Sequence, residues 1–194
     1  MQFVKGLVKM FPYRSRVYVD SGVYFLLTLM LLLLPFPWVV AALIAILIHE
    51  CFHAVAIILL SGRILAHYID AGGMRMEAEP MNPGRELIAS LAGPLGSASL
   101  VLLAPWMPRI AICGFVHCVF NLMPIYPLDG GRVLCNLIAL LFPGKRGEYI
   151  FSVIQNMVKL LVIFASIVLG FWWGILPAVA LVLLMKRKRV HRTV

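Results

Sequence analysis

Charge is what this 194-residue chain has least of: 13% of its residues are charged, and only 8 are acidic. A soluble domain carries roughly 25% charged residues, so a water-facing surface of ordinary composition is excluded. Cysteine is sparse as well. Cys51, Cys113, Cys118 and Cys135 stand singly in apolar stretches, where a thiol behaves as a small hydrophobe, and neither a disulfide framework nor a cysteine zinc knuckle is implied. The alternating ten-residue segments of an outer-membrane barrel are lacking too. Hydrophobic residues are abundant instead, 62% of the chain with a mean hydropathy of +0.98. They come in runs near the ~20 residues that a helix needs to cross hydrocarbon. The composition therefore predicts an all-α polytopic membrane protein, with residues 1–194 forming a single membrane domain.

Apolar runs at 17–34, 38–60, 87–104, 109–128, 149–169 and 171–185 predict six spans. Pro35-Phe36-Pro37, the stretch from Pro105 to Pro108, and a tight turn over Gly170 to Gly174 separate neighbouring runs with almost no charge. The other connections hold the basic residues. All seventeen except Arg109 and Lys159 fall on one side, including Lys5, Lys9, Arg14 and Arg16 at the start and Lys186 to Arg189 with Arg192 at the end. By the positive-inside rule both termini are cytoplasmic, and the excess of 17 basic over 8 acidic residues reads as a topology signal and a contact with the lipid bilayer rather than as a nucleic-acid surface. No small-residue cleavage site follows the first run, so that helix is expected to be retained. The apolar stretch from Val133 to Phe142 is too short to cross and predicts a half-helix at the cytoplasmic interface. Between spans two and three, Ile64, Leu65, Tyr68, Ile69, Met74 and Met76 flank Gly72-Gly73, which suits a short membrane-associated β-hairpin. An irregular loop containing two glycines is the alternative.

The second span contains His49-Glu50-Cys51-Phe52-His53. Two histidines four apart share a helix face, and a glutamate beside the first can hold or deprotonate a zinc-bound water. From the chain's own 5 histidines and 8 acids, such a pattern arises by chance roughly once in two hundred sequences. Ionisable groups inside a span are costly and mark function. The alternative is a pair of histidines hydrogen-bonded to neighbouring helices with Glu50 neutralised.

A catalytic zinc takes three protein ligands and keeps a fourth position open, so a third ligand must come from elsewhere. The acids are few enough to canvass. Asp20 precedes the first apolar core, Asp70, Glu77, Glu79 and Glu86 lie in the loop, and Glu148 opens span five. Asp129 alone sits at the end of a membrane run, in Asn121-Leu122-Met123-Pro124-Ile125-Tyr126-Pro127-Leu128-Asp129-Gly130-Gly131. Two prolines and two glycines free backbone there, which is tolerated at membrane depth only where protein or water surrounds it. Asp129 is the expected third ligand. The ordinary alternative is an aspartate N-capping the half-helix that follows.

These residues, together with Ala92-Gly93-Pro94 in span three, resemble the site-2 proteases, intramembrane zinc metalloproteases. The wording of Asn121 to Arg132 and the lack of an inserted PDZ domain are most similar to the sporulation stage IV protein FB subgroup. The resemblance implies one zinc ion held by His49, His53 and Asp129, Glu50 as general base, and Asn121 against substrate or the reacting centre. It implies as partners a membrane-associated sigma-factor precursor and inhibitory membrane proteins, in the mother-cell membrane around the forespore. Two departures stand out: Ser97 lies where family members commonly have Asn three residues after Gly-Pro, and the sequence stops at Val194, before the C-terminal CBS domain of many subgroup members, as expected either of a short member or of a truncated one, so these residues do not imply nucleotide regulation.

An extended substrate must satisfy its backbone near the membrane, and a strand edge does this with little side-chain demand. Gly72 and Gly73, in a hairpin over Ala66 to Met76, are therefore the expected substrate-binding element. Counting from Leu60 at 1.5 Å per residue places the metal roughly 10 to 16 Å inside the cytoplasmic end of span two, so cleavage is expected near that face. His117, four residues before Asn121, reads as a ligand-supporting residue or, more simply, as a lone histidine bonded to a carbonyl. Gln155 and Lys159 are one turn apart and face the bundle interior, unless Lys159 snorkels to an interface. The rival reading is a zinc-binding or zinc-transport membrane protein, although a path for ions should show several layers of ligands.

Overall fold

A computed structural model describes residues 16–70 and 73–173. They fall into two units, one extending to Phe120 and the other beginning at Asn121. The terminal basic clusters, apart from Arg16, and most of the expected sixth span lie outside the described residues.

The first unit opens with strand β1 (Arg16–Val19), not with a helix. Helix α1 (Gly22–Leu33) starts only after Asp20, whose carboxylate accepts the Gly22 N–H at 3.1 Å. The apolar run from Val17 was thus expected as one helix and divides in two, because Val17, Tyr18 and Val19 are β-branched or aromatic and find a strand to pair with. That strand is β2 (Ile64–Asp70), which runs parallel to β1 and antiparallel to β3 (Gly73–Ala78). The hairpin expected around Gly72-Gly73 is present as part of a three-stranded sheet ordered β1-β2-β3. Gly72 itself lies outside the described residues.

Between the first and second strands runs α2 (Phe36–Leu59), whose 24 residues make about 36 Å of helix. Its end is set by backbone geometry. Ser61 takes a left-handed φ of 60°, the Gly62 N–H donates to Ile57 C=O at 2.8 Å, and the Ser61 N–H donates to Ile58 C=O at 3.0 Å. This is a Schellman closure that satisfies the last carbonyls. Helix α3 (Pro83–Ser99) begins on Asn82, whose side chain accepts the Arg85 N–H at 2.9 Å, with Pro83 in the first turn. A tight helical turn at Leu100–Leu103 extends it. Helix α4 (Pro108–Asn121) completes the unit.

In the second unit, α5 (Asp129–Leu141) precedes α6 (Lys145–Trp173). The expected fourth span, 109–128, stops as a helix at Asn121 because Pro124 and Pro127 cannot continue it. The expected half-helix from Val133 starts four residues earlier, at Asp129. The expected turn over Gly170 to Gly174 is not found up to Trp173, since α6 continues through Gly170; one apolar glycine is too weak a signal to end a helix whose neighbours are all apolar.

Three helices among the described residues are long and apolar enough to cross a membrane: Phe36–Leu59, Pro83–Leu103 and Lys145–Ala165. With 12 and 14 residues, α1 and α4 reach only about 18 and 21 Å. The first and fourth expected spans are thus shorter than expected, one beginning as a strand and the other ending before a proline-broken segment, while most of the sixth lies outside the described residues.

Candidate metal centre

The buried face of α2 carries Ala41, Ala45, His49, His53 and Ile57. Their four-residue spacing makes one stripe along the helix. The facing residues of α3 are also small: Ala89, Ser90, Gly93, Pro94, Gly96 and Ser97 are buried. Without a hydrophobic force between helices in lipid, such small residues let two backbones approach closely. A Cβ on Gly93 would overlap His53 Nε2 and come within 2.6 Å of its Cδ2 and Cε1. The absence of a side chain at position 93 is therefore what makes room for the imidazole.

Both rings are held from behind. His53 Nδ1 is 2.7 Å from the carbonyl oxygen of Ala89, and a carbonyl only accepts, so Nδ1 carries the proton and the neutral ring presents its Nε2 lone pair. His49 Nδ1 is 2.9 Å from Ser97 Oγ, and Ser97 is completely buried, with 0% exposure. The two Nε2 atoms then face each other at 3.1 Å, with the rings edge to face. When Ser97 Oγ accepts from His49, two lone pairs converge on one point, an arrangement that a cation stabilises. Ligating histidines characteristically give their other nitrogen to a carbonyl or similar acceptor, so the donor set fits a metal. Glu50, next along α2, is half-buried.

His117 of α4 lies against His49 with ring centroids 4.6 Å apart at 85°. The structure thus places it beside the histidine pair. Ala89 was not legible as part of this site, and Gly93 and Ser97 stood out only through the resemblance, without their contacts to the histidines. For Ala89 the available signal was the crowding of small residues from Ala89 to Ser97.

The loop acids have local partners. Asp70 accepts from Arg75 at 2.9 Å, Glu79 pairs with Arg63 at 3.7 Å, and Glu77 accepts the Tyr68 hydroxyl at 3.0 Å. That last bond holds the Tyr68 phenol above its usual pKa. Gly73 opens β3 on this sheet. Asn121 closes α4 at intermediate exposure.

In the second unit Asp129, 7% exposed, is the buried carboxylate among the eight acids. It is not the N-cap of α5. Leu128 occupies that place, without a side-chain cap, and Asp129 lies in the first turn. A Cβ on Gly130 would overlap the Leu122 carbonyl, so the helix start is pressed directly onto the broken segment.

Apolar helices of membrane-crossing length and a buried histidine pair with converging nitrogens define a helical membrane protein with a candidate metal centre. The fold is that of the Site-2 Protease from Methanocaldococcus jannaschii, at a TM-score of 0.68 and 16% identity over 92% of this chain and 94% of that one. In sequence the chain is 30% identical to Stage IV sporulation protein FB of Bacillus subtilis over an alignment covering 59% of this chain. It spans about half, 49%, of that relative's length. No family model matches. The chain is thus similar to a site-2 protease in fold and to Stage IV sporulation protein FB in sequence.

Proposed function

We propose that the protein is an intramembrane zinc metalloprotease that hydrolyses a peptide bond of a membrane-associated protein. The observation that carries this reading is the pair of buried imidazoles whose Nε2 atoms converge while Ala89 and Ser97 hold the other nitrogens. His49, His53 and Asp129 are the donors that could hold the ion. A bound zinc ion supplies Lewis-acid polarisation of the scissile carbonyl and makes water nucleophilic near neutral pH. Glu50 takes the proton of the attacking water and delivers it to the leaving amine nitrogen as the C–N bond breaks. Asn121 contacts the substrate or the reacting centre, and His117 packs against the His49 ring and limits its rotation. Replacing Asp129 with Ala leaves two ligands, and the purified variant is expected to lose its zinc and its activity. Zinc at the wild-type level in that variant would contradict the assignment.

From the resemblance of His49–His53 and Asn121–Arg132 to the sporulation stage IV protein FB subgroup, and the likeness to Stage IV sporulation protein FB, we assign the substrate to the class of membrane-tethered sigma-factor precursors, cut near the cytoplasmic face, with both termini of this chain cytoplasmic and inhibitory membrane proteins as further partners. The hairpin that starts β3 at Gly73 is the proposed substrate clamp. Since β2 is paired on both sides, the available edge of the hairpin is the outer side of β3, where an added strand would meet every second backbone donor. Proline placed singly from Met74 to Ala78 is expected to impair cleavage at the outward-facing positions while the protein stays folded. Equal tolerance at all five would remove the clamp. A zinc-transport protein, the other reading, has no observation in its favour here.

A further inference from the structure

Among the described residues Gln155 is the largest of the fully buried side chains, 2% exposed, and it stands within an α6 stretch apolar enough to cross a membrane. A primary amide at that depth must find its partners within the protein. Both of its polar atoms bond one short piece of main chain: Oε1 accepts the Tyr126 N–H at 3.0 Å, and Nε2 donates to the Pro124 carbonyl at 2.9 Å. One turn earlier on α6, the Phe151 ring meets the Tyr126 ring edge to face, with centroids 6.5 Å apart. The same side of α6 thus grips residue 126 by backbone and by ring.

That piece of main chain leads directly to Asp129. The Leu128 N–H donates to Ile125 C=O at 2.8 Å, and the Arg132 N–H donates to Leu128 C=O at 3.0 Å, which ties the broken segment to the first turn of α5. A Cβ on Gly131 would come within 2.5 Å of the Ile125 carbonyl carbon, so this turn lies directly on residues 125 and 126. Fixing residues 124 and 126 therefore fixes the backbone that carries Asp129.

We propose that Gln155 is a positioning residue that sets the place of the Asp129 carboxylate through the 124–128 segment. The proposal rests on the reading of Asp129 as a metal ligand. A purely stabilising role and a positioning role separate experimentally.

The test uses the full chain in detergent, zinc as the probe, and competition with a chelator. Gln155→Met keeps the side-chain length and removes both bonds. Its zinc affinity is expected to fall about 10- to 100-fold, the range for outer partners of metal ligands, and the Tyr126 amide is expected to exchange its hydrogen faster. Val162→Ala, a cavity at another buried position of α6, controls for general loss of stability and should bind zinc as the wild type does. Wild-type affinity in folded Gln155→Met, or an equal fall in Val162→Ala, overturns the positioning role. If Gln155→Met does not fold, Gln155→Asn, one methylene too short to span both groups, is read by the same criteria. Asp129→Ala in the same assay separates the two levels. Loss of zinc there with none in Gln155→Met sinks this inference alone, whereas retained zinc in Asp129→Ala sinks the ligand reading and the inference with it.

Discussion

Glu50→Gln is expected to abolish cleavage of a membrane-tethered substrate while the purified protein keeps close to one zinc per chain. The substitution preserves shape and hydrogen-bonding reach but removes the basic site for a proton. Glu50 is assigned to proton transfer, and His49 and His53 already supply two nitrogens whose rings are anchored independently of it by Ser97 and Ala89. General base catalysis alone accounts for factors of about 10² to 10⁴. Because the same group also serves the leaving nitrogen, the loss should lie at the upper end of that range or beyond. Metal analysis beside a gel assay of the same preparation checks both halves. A variant that loses its zinc would move Glu50 from proton transfer to ligation.

Gly93→Ala is expected to be nearly as damaging through a single methyl group. The added carbon would overlap His53 Nε2 and lie 2.6 Å from two other ring atoms, while the ring is tied behind by the Ala89 carbonyl. Either α3 moves away from α2 or the imidazole leaves its place. Overpacking of this kind typically costs about 1–3 kcal/mol, and here the displaced group is a proposed ligand, so zinc and activity should both be lost. Gly84→Ala is the contrasting case on the same helix. A Cβ there meets only Asn82 Oδ1, at 3.6 Å, and the change should leave zinc binding intact and favour the helix by up to about 1 kcal/mol. Thermal unfolding and zinc content of the two variants distinguish a local clash from a general intolerance of glycine replacement in α3.

How much was legible in the sequence depended on the range of the interaction that decides each feature. His49 and His53 share a turn of one helix, so their spacing alone places them on one face, and Asp129 stood out because acids are so rare in this chain. The hairpin followed from a glycine pair between apolar strands. Ala89, and the contacts that Ser97 and Gly93 make with the histidines, escaped because they arise only when α3 packs on α2, which no local pattern in α3 announces. Strand β1 escaped for a related reason: Val17 to Val19 is equally compatible with a membrane helix, and only pairing with β2, some fifty residues later, decides the matter. Gln155 was read as facing the interior, but its partners are backbone groups of a broken segment 29 and 31 residues away in sequence. The expected fourth span was drawn too long because its hydropathy continues across Pro124 and Pro127, residues that end a helix however apolar their surroundings.

The most direct measurement is co-expression of the full chain with a membrane-tethered sigma-factor precursor in cells lacking other proteases of this type, followed by mass spectrometry of the released fragment. The account predicts a soluble fragment whose new terminus maps near the cytoplasmic end of the substrate's membrane segment, present with the wild-type chain and absent with Glu50→Gln. An uncut precursor in the presence of folded, zinc-loaded protein, together with zinc movement into vesicles that contain it, would contradict the protease and support a transporter.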